Sequence, residues 1–388
     1  MISRHDEPRY AEALKHLGES GSRRLIATPA LVCELDLLDQ NISRMAELTT
    51  AARVALRPHA KTHKTSFVAR RQLDAGAVGI SCAKVSEAEA IVVDLLSEGR
   101  ERPSVLVTSP VVGASVATRA ASLARRCDLL VVVDALAGVD ELDHAVGSLE
   151  SRLTVLCDVD VGLSRTGVTD PDQALRIVER IEASPRLRFG GVQGYAGHVQ
   201  HVAGREERRA ACVASTARLE AVVVALEASG LTVEIRTGGG TGTAVLDIEL
   251  GLLNELQPGS YVFMDREYRD ALGDDAEGRF AQSLTIDTTV VSANHDGFVT
   301  VDAGLKAMAT DAGPPAVVGL ESTSTFAFFG DEHGLVTRDV AHPLSRGERI
   351  ELVPPHCDPT VDRYDLIWLV RDDVVVGTAD VIARGHSQ

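Results

Sequence analysis

The sequence predicts an α/β protein in which a (β/α)8 TIM barrel, residues 24–268, is followed by an all-β domain, residues 269–388. Eight β-branched segments alternate with longer Ala-, Leu- and Glu-rich segments over about 240 residues, as eight strand–helix units would. After about Glu267, strand patterns follow one another without helical segments between them. Residues 1–23 are expected to join the β domain. For the first part, a doubly wound open sheet is the alternative, because periodicity does not separate it from a barrel.

The individual elements are predicted from apolar runs and their spacing. Leu38, Ile42 and Met45 recur at helical spacing, and Ser86 followed by Glu89 has the form of a capping box at a helix start. The predicted barrel strands cover residues 29–36, 55–61, 79–85, 105–110, 129–135, 154–160, 189–196 and 234–239. The predicted helices include 37–48, 86–97, 172–183 and 208–229. After a linker at 270–279, the predicted β-domain strands cover 283–291, 297–301, 335–340, 349–353, 366–371 and 374–382.

Composition excludes several classes of protein. The 388 residues are 45% hydrophobic and 24% charged, which excludes wholesale disorder and collagen-like structure. The net charge of −17 argues against a nucleic-acid partner. No apolar run approaches the roughly 20 residues that span a bilayer, and the polar N-terminus has no apolar core of a secretory signal. The six cysteines are scattered without a CxxC pair, so we expect reduced thiols and a cytoplasmic protein.

A basic segment, RPHAKTHK at 57–64, stands at the end of the second predicted strand. The carboxyl ends of barrel strands point into the active site, and burial lowers the pKa of a lysine toward nucleophilic reactivity. The period of two in a strand places Lys61 on the same face as His59, with Lys64 in the loop beyond. Taken alone, the segment is equally consistent with a solvated basic loop.

A glycine-rich segment, TGGGTGT at 237–243, stands at the end of the eighth predicted strand. Its backbone N–H groups can form an anion nest, and barrels commonly bind phosphate in the loops after strands seven and eight. It is neither a Walker A motif nor a G-x-G-x-x-G motif, and a flexible turn is the alternative. A lysine and a phosphate nest in one barrel point to pyridoxal phosphate, whose aldehyde needs an amine and whose phosphate needs donors.

Two segments near other predicted strand ends carry candidate groups. His198 and His201, three residues apart after the seventh predicted strand, are candidates for acid–base groups or metal ligands, or for structural histidines. Arg165 follows the sixth predicted strand in DVDVGLSRTGV, where it is a candidate to face a ring or a carboxylate. A surface ion pair explains the arginine equally well.

The β domain contains a stiff segment, PPHCDPT at 354–360, with two potential metal ligands. In extended backbone, His356 and Asp358 face one side and Cys357 faces the other. An imidazole nitrogen with a carboxylate oxygen suits Mn²⁺, Zn²⁺ or Mg²⁺, and two ligands leave open positions for water or substrate. A surface turn is the alternative.

Together these segments resemble the D-threonine aldolase family, in the D-serine dehydratase-like group of fold-type III pyridoxal-phosphate enzymes. The matching segments are TPALVCELDLLDQNI, LRPHAKTHK, GISCAKVSEAE, DVDVGLSRTGV, GYAGHVQH, TGGGTGT, ELQPGSYVFMD, DAGLKAMATD, GDEHG and PPHCDPTVDRYD. They run in order from Thr28 to Asp365, so the resemblance covers nearly the whole chain. It implies a barrel of the alanine-racemase type, a β domain and a homodimer.

The resemblance also implies roles for individual residues. The residues implied at the cofactor are Lys61, Arg165, Tyr195, Thr237, Gly239, Gly240, Ser260 and Tyr261. Of these, Lys61 bonds to the cofactor, Arg165 faces its pyridine nitrogen, and the last five form the phosphate cradle. His201 matches the base. His356 and Asp358 match ligands of a divalent metal, with Mn²⁺ favoured and Mg²⁺, Co²⁺ and Zn²⁺ as other candidates.

The implied reaction is the cleavage of a D-3-hydroxy amino acid such as D-threonine to glycine and an aldehyde. Two alternatives stay open: 3-hydroxy-D-aspartate as the aldol substrate, and dehydration of D-serine or 3-hydroxyaspartate to a 2-oxo acid and ammonia. Dehydratases of the group typically have cysteine where Asp358 stands, which favours aldol cleavage. A racemase would not need His356 and Asp358, and non-catalytic carriers of the cofactor in this fold lack the β domain.

Overall fold

The computed structural model describes residues 7–149, 152–273, 280–338 and 343–388. The chain divides into two compact units. The β unit comprises Met1–Ile42, Ser260–Asp270 and Phe280–Arg384, and the barrel unit comprises Ser43–Gly259, Ala271–Arg279 and Gly385–Gln388.

Strands and helices alternate through the first two thirds of the chain, and strands dominate the remainder. The helices are α1 Pro8–Lys15, α2 Leu35–Ala52, α3 Ser66–Asp74, α4 Val85–Ser97, α5 Ala114–Leu123, α6 Leu136–Leu149, α7 Pro171–Glu182, α8 Arg205–Ala228, α9 Ala244–Leu250, α10 Arg266–Leu272 and α11 Cys357–Val361. The strands are β1 Ala30–Glu34, β2 Ala55–Leu56, β3 Ile80–Cys82, β4 Ser104–Val107, β5 Asp128–Val133, β6 Leu153–Asp158, β7 Leu187–Gly194, β8 Ile235–Gly238, β9 Glu255–Leu256, β10 Leu284–Ser292, β11 Phe298–Val301, β12 Ala316–Val317, β13 Phe326–Phe328, β14 Gly334–Thr337, β15 Arg349–Val353, β16 Leu366–Arg371 and β17 Val374–Asp380.

The barrel unit is built on one parallel sheet of eight strands in the order β2-β9-β8-β7-β6-β5-β4-β3. A parallel bridge between His59 and Ser81, just beyond β2 and within β3, joins the two end strands and closes the barrel. Its interior is filled by side chains, as in other small barrels. One cluster of the interior consists of Leu106, Leu130, Val132 and Leu156, all at most 7% exposed. The predicted (β/α)8 barrel is therefore confirmed.

The β unit contains a nine-stranded sheet with the path β13-β14-β11-β10-β1-β16-β17, to which β15 and β12 add at β10. Its pairs are antiparallel except β1 with β16, where Val32 aligns with Trp368. Val32 and Trp368 belong to the core cluster of this unit, and Tyr10 meets the indole edge-on, with ring centroids 5.9 Å apart. The predicted all-β domain is confirmed, with β12 and β13 as strands that the pattern did not predict.

Two of the predicted assignments to the barrel are wrong. The strand predicted at 29–36 forms as β1, but it pairs with β10 and β16 in the β unit, so the barrel does not begin at residue 24. The eighth barrel strand is instead β9, the two-residue strand Glu255–Leu256. An apolar run does not reveal which sheet receives a strand, and two residues are too short for a periodic signal.

Smaller differences concern element ends. The capping box predicted at Ser86 does not form, because the helix starts one residue earlier at Val85 and Lys84 is the N-cap. The carboxylate of Glu87 instead accepts the Ala83 N–H (2.8 Å), which satisfies one donor at that helix start. The predicted linker at 270–279 overlaps the end of α10, and its residues 274–279 lie outside the described residues. Among the described helices, none is both long enough and apolar enough to cross a bilayer.

Candidate active site

Lys61 lies at the carboxyl end of the barrel, but not within a strand. The strand β2 ends at Leu56, and Pro58, which has no amide hydrogen for a ladder, follows. Lys61 is the centre of a single 3₁₀ turn, Ala60–Thr62, whose N-terminus is capped by His59: the ring Nδ1 accepts the Lys61 N–H (3.3 Å). The prediction that Lys61 and His59 share a strand face is therefore wrong, although the predicted position near the strand end holds.

A cavity of about 470 Å³ opens at this end of the barrel and has Lys61 in its wall. Arg165, Tyr195, Gln193, Gln257 and Lys84 contribute to the same wall. Its volume lies within the range of about 300–1,000 Å³ that small-molecule sites occupy. Three of the residues predicted at the cofactor are thus brought together from the segments that follow β2, β6 and β7.

Arg165 faces the aromatic ring of Tyr195, with its guanidinium carbon 5.5 Å from the ring centroid. The loop that carries the arginine is anchored directly after it. The Thr166 hydroxyl donates to Asp158 Oδ2 (2.8 Å), and the Gly167 N–H donates to Asp134 Oδ2 (3.1 Å). That Arg165 also faces a ring of the cofactor stays a prediction.

Two glutamines of the cavity wall belong to a chain of polar side chains that the sequence did not suggest. The amide of Gln193 donates to Asp158 Oδ1 (2.8 Å), and the amide of Gln257 donates to Gln193 Oε1 (3.3 Å) and to Thr237 Oγ1 (2.9 Å). Burial raises the pKa of Asp158 to about 6, although the bonds from Gln193 and Thr166 oppose that shift. Glutamines on two different strand ends have no sequence spacing that marks them as neighbours.

The glycine-rich segment packs tightly against the rest of the barrel. Thr237 is fully buried, and Gly239 has a φ of +69°, which an L side chain rarely adopts. A Cβ on Gly238 would collide with the Gly194 carbonyl oxygen. The segment is therefore an ordered loop that requires glycine, rather than the flexible turn that was the alternative.

Two amides of the predicted anion nest have protein partners. The Gly240 N–H donates to Thr243 Oγ1 (3.2 Å), and the Gly242 N–H donates to Gln200 Oε1 (3.0 Å). A phosphate that binds Gly240 has to share or displace the threonine oxygen. The Gln200 side chain also donates to Thr243 Oγ1 (3.1 Å), so the segment after β7 is fixed to the glycine loop.

The two candidate histidines lie in different surroundings. His198 is exposed, in the 3₁₀ turn Gly197–Val199, and its Nε2 is 3.3 Å from the position of a Cβ on Gly162. His201 directly follows Gln200, which is anchored to the glycine loop, and its Nε2 is buried. His201 is not part of the wall of the 470 Å³ cavity.

In the β unit, Ser260 and Tyr261 lie in the 3₁₀ turn Ser260–Val262 and are buried. The Tyr261 ring meets Phe280 edge-on, with centroids 5.5 Å apart. The Ser260 hydroxyl donates a long bond to Asp358 Oδ1 (3.5 Å). A predicted phosphate-cradle residue therefore neighbours a predicted metal ligand within this unit.

His356 and Asp358 do not lie on a common face of an extended segment. His356 is the N-cap of the helix α11, and Asp358 is in its first turn, so the alternation of two does not apply. Cys357 does not point away from the aspartate, because its thiol donates to Asp358 Oδ1 (3.5 Å). The buried carboxylate of Asp265 accepts the Cys357 N–H (2.8 Å) and fixes the start of the helix.

The His356 ring is held by a second carboxylate. Its Nδ1 is 2.7 Å from Asp311 Oδ2, a distance at which a proton on Nδ1 is donated to this carboxylate. Burial lowers the pKa of His356, but the charges of Asp358 and Asp311 outweigh it, so the net shift is upward. Within the described part of the chain, no three or more His, Cys, Asp or Glu side chains are arranged to hold a metal ion.

Comparison with known proteins decides the family. A family model described as the alanine racemase N-terminal domain matches residues 33–267, and one described as a putative serine dehydratase domain matches residues 283–370. The chain is 37% identical over 364 residues to a D-threonine aldolase of an Arthrobacter species, covering 94% of each chain. The chain belongs to the D-threonine aldolase family.

Other members agree with this family assignment. A 3-hydroxy-D-aspartate aldolase of Paracoccus denitrificans (strain Pd 1222) is 37% identical over 366 residues, covering 93% of this chain and 92% of the relative. The crystal structure of a D-threonine aldolase from Filomicrobium marinum superposes with a TM-score of 0.89 at 34% identity, covering 94% of this chain and 98% of that one. The resemblance found in the sequence is confirmed, and with it the class of enzyme: as a member of the D-threonine aldolase family, the chain is a pyridoxal-phosphate-dependent lyase.

Proposed function

We propose that the protein is a pyridoxal-phosphate- and divalent-metal-dependent aldolase that cleaves D-3-hydroxy amino acids of the D-threonine kind to glycine and an aldehyde. The observation that carries this proposal is the wall of the 470 Å³ cavity, where the Lys61 amine, the Arg165 guanidinium and the Tyr195 ring surround one space. An amine can bond to an aldehyde, a cation can interact with a pyridine nitrogen, and an aromatic ring can pack against the cofactor.

The chain offers suitable residues for the cofactor. When bound, pyridoxal phosphate supplies an electron sink for the carbon next to the amino group. The Lys61 amine would bond to the aldehyde carbon, and the Arg165 guanidinium would lie at the pyridine nitrogen and disfavour its protonation. The residues proposed at the phosphate are Thr237, Gly239, Gly240, Ser260 and Tyr261. The fixed backbone of the glycine loop supports this assignment, with the Gly240 amide shared between the phosphate and the Thr243 hydroxyl.

His356 and Asp358 are proposed as the metal ligands. When bound, the ion lowers the pKa of the substrate hydroxyl. The bond from His356 Nδ1 to Asp311 supports the proposal, because ligating histidines usually donate their other nitrogen to a carboxylate, which orients the ring. An imidazole with a carboxylate favours Mn²⁺, with Mg²⁺, Co²⁺ and Zn²⁺ as other candidates.

His201 is proposed to take the proton of the substrate hydroxyl as the carbon–carbon bond breaks. Its support is the fixed position of the segment that carries it: Gln200 bonds both to the glycine loop and, through Nε2, to the Ala196 carbonyl oxygen (3.2 Å). A base must be held within hydrogen-bond reach of the proton it removes, and a rigid neighbour provides such control.

The test is incubation of the purified protein with D-threonine and with D-3-hydroxyaspartate, with and without Mn²⁺, reading aldehyde and 2-oxo acid separately. We expect glycine and an aldehyde, loss of activity with EDTA, and recovery with Mn²⁺. Lys61→Ala should be inactive, whereas Lys84→Ala, which removes an exposed lysine from the same cavity wall, should stay active. Full activity after complete chelation would contradict the metal's role.

Dehydration is the second candidate function. The match of residues 283–370 to the putative serine dehydratase domain favours it, and the same residues serve both reactions. A 2-oxo acid and ammonia as the main products would establish it. Aldol cleavage of 3-hydroxy-D-aspartate differs only in the substrate side chain. The homodimer and the cytoplasmic location stay predictions.

A further inference from the structure

A buried carboxyl group lies directly behind the glycine loop. Asp247 is in α9, and its Oδ2 is 2.5 Å from the position that a Cβ on Gly239 would take. Its side chain is therefore separated from the proposed phosphate position by little more than the backbone of one glycine. None of the roles discussed above includes Asp247.

Asp247 is linked to the glycine loop through the hydroxyl group of Thr243. The Thr243 hydroxyl accepts the Gly240 N–H (3.2 Å) and the Gln200 amide (3.1 Å), and it donates to Asp247 Oδ2 (2.6 Å). A hydroxyl has one donor and two acceptor positions, so this one is fully used. The orientation of the Gly240 amide is thus connected to the buried carboxyl through one oxygen.

Within the described part of the chain, no cation compensates the carboxyl of Asp247. Among the described residues, only burial and the Thr243 bond act appreciably on the carboxyl, and burial raises its pKa to about 7. Cys212, on α8, faces Asp247. Burial raises the pKa of the Cys212 thiol to about 12, so the thiol is neutral. Arg208 on α8 donates to backbone carbonyl oxygens, including Ala271 (3.1 Å). Glu249, two residues along α9, pairs with Arg205 (3.0 Å).

We infer that Asp247 is a proton-linked positioning residue: its carboxyl is neutral when a phosphate group lies on Gly239 and Gly240, and its ionisation weakens the hold on that phosphate. Two negative charges on opposite sides of one glycine repel each other strongly where water is excluded. The neutral acid removes the repulsion and still accepts the Thr243 hydrogen bond. The inference rests on the proposed binding of pyridoxal phosphate by the barrel unit.

The test compares two probes on the full chain freed of cofactor: pyridoxal phosphate, and pyridoxal, which lacks the phosphate. Affinities are measured by absorbance between pH 7 and pH 9, where the phosphate itself, with its second pKa near ~6, no longer titrates. Because both probes carry the aldehyde proposed to bond to Lys61, the effect of pH on that lysine cancels in the ratio of the two affinities. For the wild-type protein we expect this ratio to fall about fivefold from pH 7 to pH 9, which is what one pKa unit of coupling gives over this range for a carboxyl with a pKa of about 7.

Two variants make the comparison specific. Asp247→Asn keeps the shape and an acceptor for Thr243, and its affinity ratio should not change with pH. Glu249→Gln makes the same charge change on the same helix at an exposed position. Its affinity ratio should fall with pH as steeply as that of the wild-type protein. Equal slopes in wild type and Asp247→Asn would overturn the inference.

A measurement on the wild-type protein covers the case in which Asp247→Asn does not fold. Calorimetric titration near pH 7.5 in two buffers with different ionisation enthalpies gives the protons taken up on binding. We expect uptake of a fraction of a proton with pyridoxal phosphate beyond that with pyridoxal, and equal values would overturn the inference. If pyridoxal phosphate does not bind at any pH, the proposed function fails, and not this inference alone.

Discussion

At the scale of single residues, the site depends on side chains whose neighbours fix them. His59 illustrates this, because its ring caps the turn of Lys61 through Nδ1 and bonds to Thr108 Oγ1 (3.0 Å) through Nε2. Since Nδ1 accepts the amide of Lys61, the ring proton is on Nε2 and points to the threonine oxygen. The lysine backbone is held in place, while its side chain extends to the cavity.

The two histidines after β7 allow a matched test of the base. His201→Ala should lower kcat by about 10²–10⁴-fold, the usual contribution of a general base, with cofactor binding retained. His198→Ala, three residues away at an exposed position, should have little effect. Steady-state kinetics with D-threonine and absorbance of the bound cofactor provide the measurements. If His198→Ala abolishes activity and His201→Ala does not, the base is misassigned.

At the scale of elements, the loop from β6 to α7 behaves as a clamp that holds Arg165. Three carboxylates orient it: Asp158 and Asp134 bind Thr166 and Gly167, and Asp160 Oδ1 accepts the N–H groups of Gly162 and Ser164 (both 2.9 Å). A bridge between Val159 and Val168 closes the base of the loop. The position of Arg165 is thus set by backbone geometry on both sides of it.

Gly167 provides the test of this loop. Its φ is +104°, and a Cβ there would collide with the backbone nitrogen of Asp160. Gly167→Ala should lower the free energy of unfolding by about 1–3 kcal/mol and weaken cofactor binding, because Arg165 is displaced. Gly230→Ala is the control, with a φ of +80° but open space around the new methyl group. Urea unfolding and cofactor titration of both variants separate the effect of the collision from that of backbone strain. Equal losses of stability and of cofactor affinity in the two variants would contradict the role of this loop in holding Arg165.

At the scale of the whole molecule, buried carboxyl groups couple folding to pH. Asp158 and Asp247 have pKa values of about 6 and about 7, raised from 3.8 mainly by burial. Between pH 4 and pH 7 the folded chain therefore keeps protons that the unfolded chain has lost. Stability from these groups is present at acid pH and is lost as pH rises through their folded-state pKa values.

Without cofactor, the contribution of these two groups to the free energy of unfolding should fall by about 3 kcal/mol between pH 5.5 and pH 7.5, at roughly 1.4 kcal/mol per pKa unit, and should change little above that range. Urea unfolding at intervals across this range measures the decline. The double variant Asp158→Asn, Asp247→Asn should flatten it. A variant with the same slope as the wild type would show that other groups, such as histidines, cause the dependence.

Local patterns in the sequence were sufficient for the fold class, the family and most of the candidate residues. Strand–helix alternation and the change of pattern near residue 267 depend on local periodicity, which the chain displays directly. Segments such as RPHAKTHK and TGGGTGT are contiguous, so the sequence alone reveals the lysine and the glycine loop. The proximity of Lys61, Arg165 and Tyr195 was expected from the family resemblance, and the convergence of barrel strand ends is consistent with it.

Tertiary packing was needed to show which sheet receives each strand and which polar groups meet. β1 carries the same apolar pattern as a barrel strand, but its partners β10 and β16 come from more than 240 residues later in the chain. Gln193 and Gln257 became part of the site only through hydrogen bonds between separate segments of the barrel unit. Extended backbone was expected at Lys61 and Cys357, but the structure has a 3₁₀ turn at one and a helix at the other. The His59 ring accepts the Lys61 N–H at the start of the turn, and the buried carboxylate of Asp265 accepts the Cys357 N–H at the start of the helix. Such contacts depend on long-range packing, which no local pattern encodes.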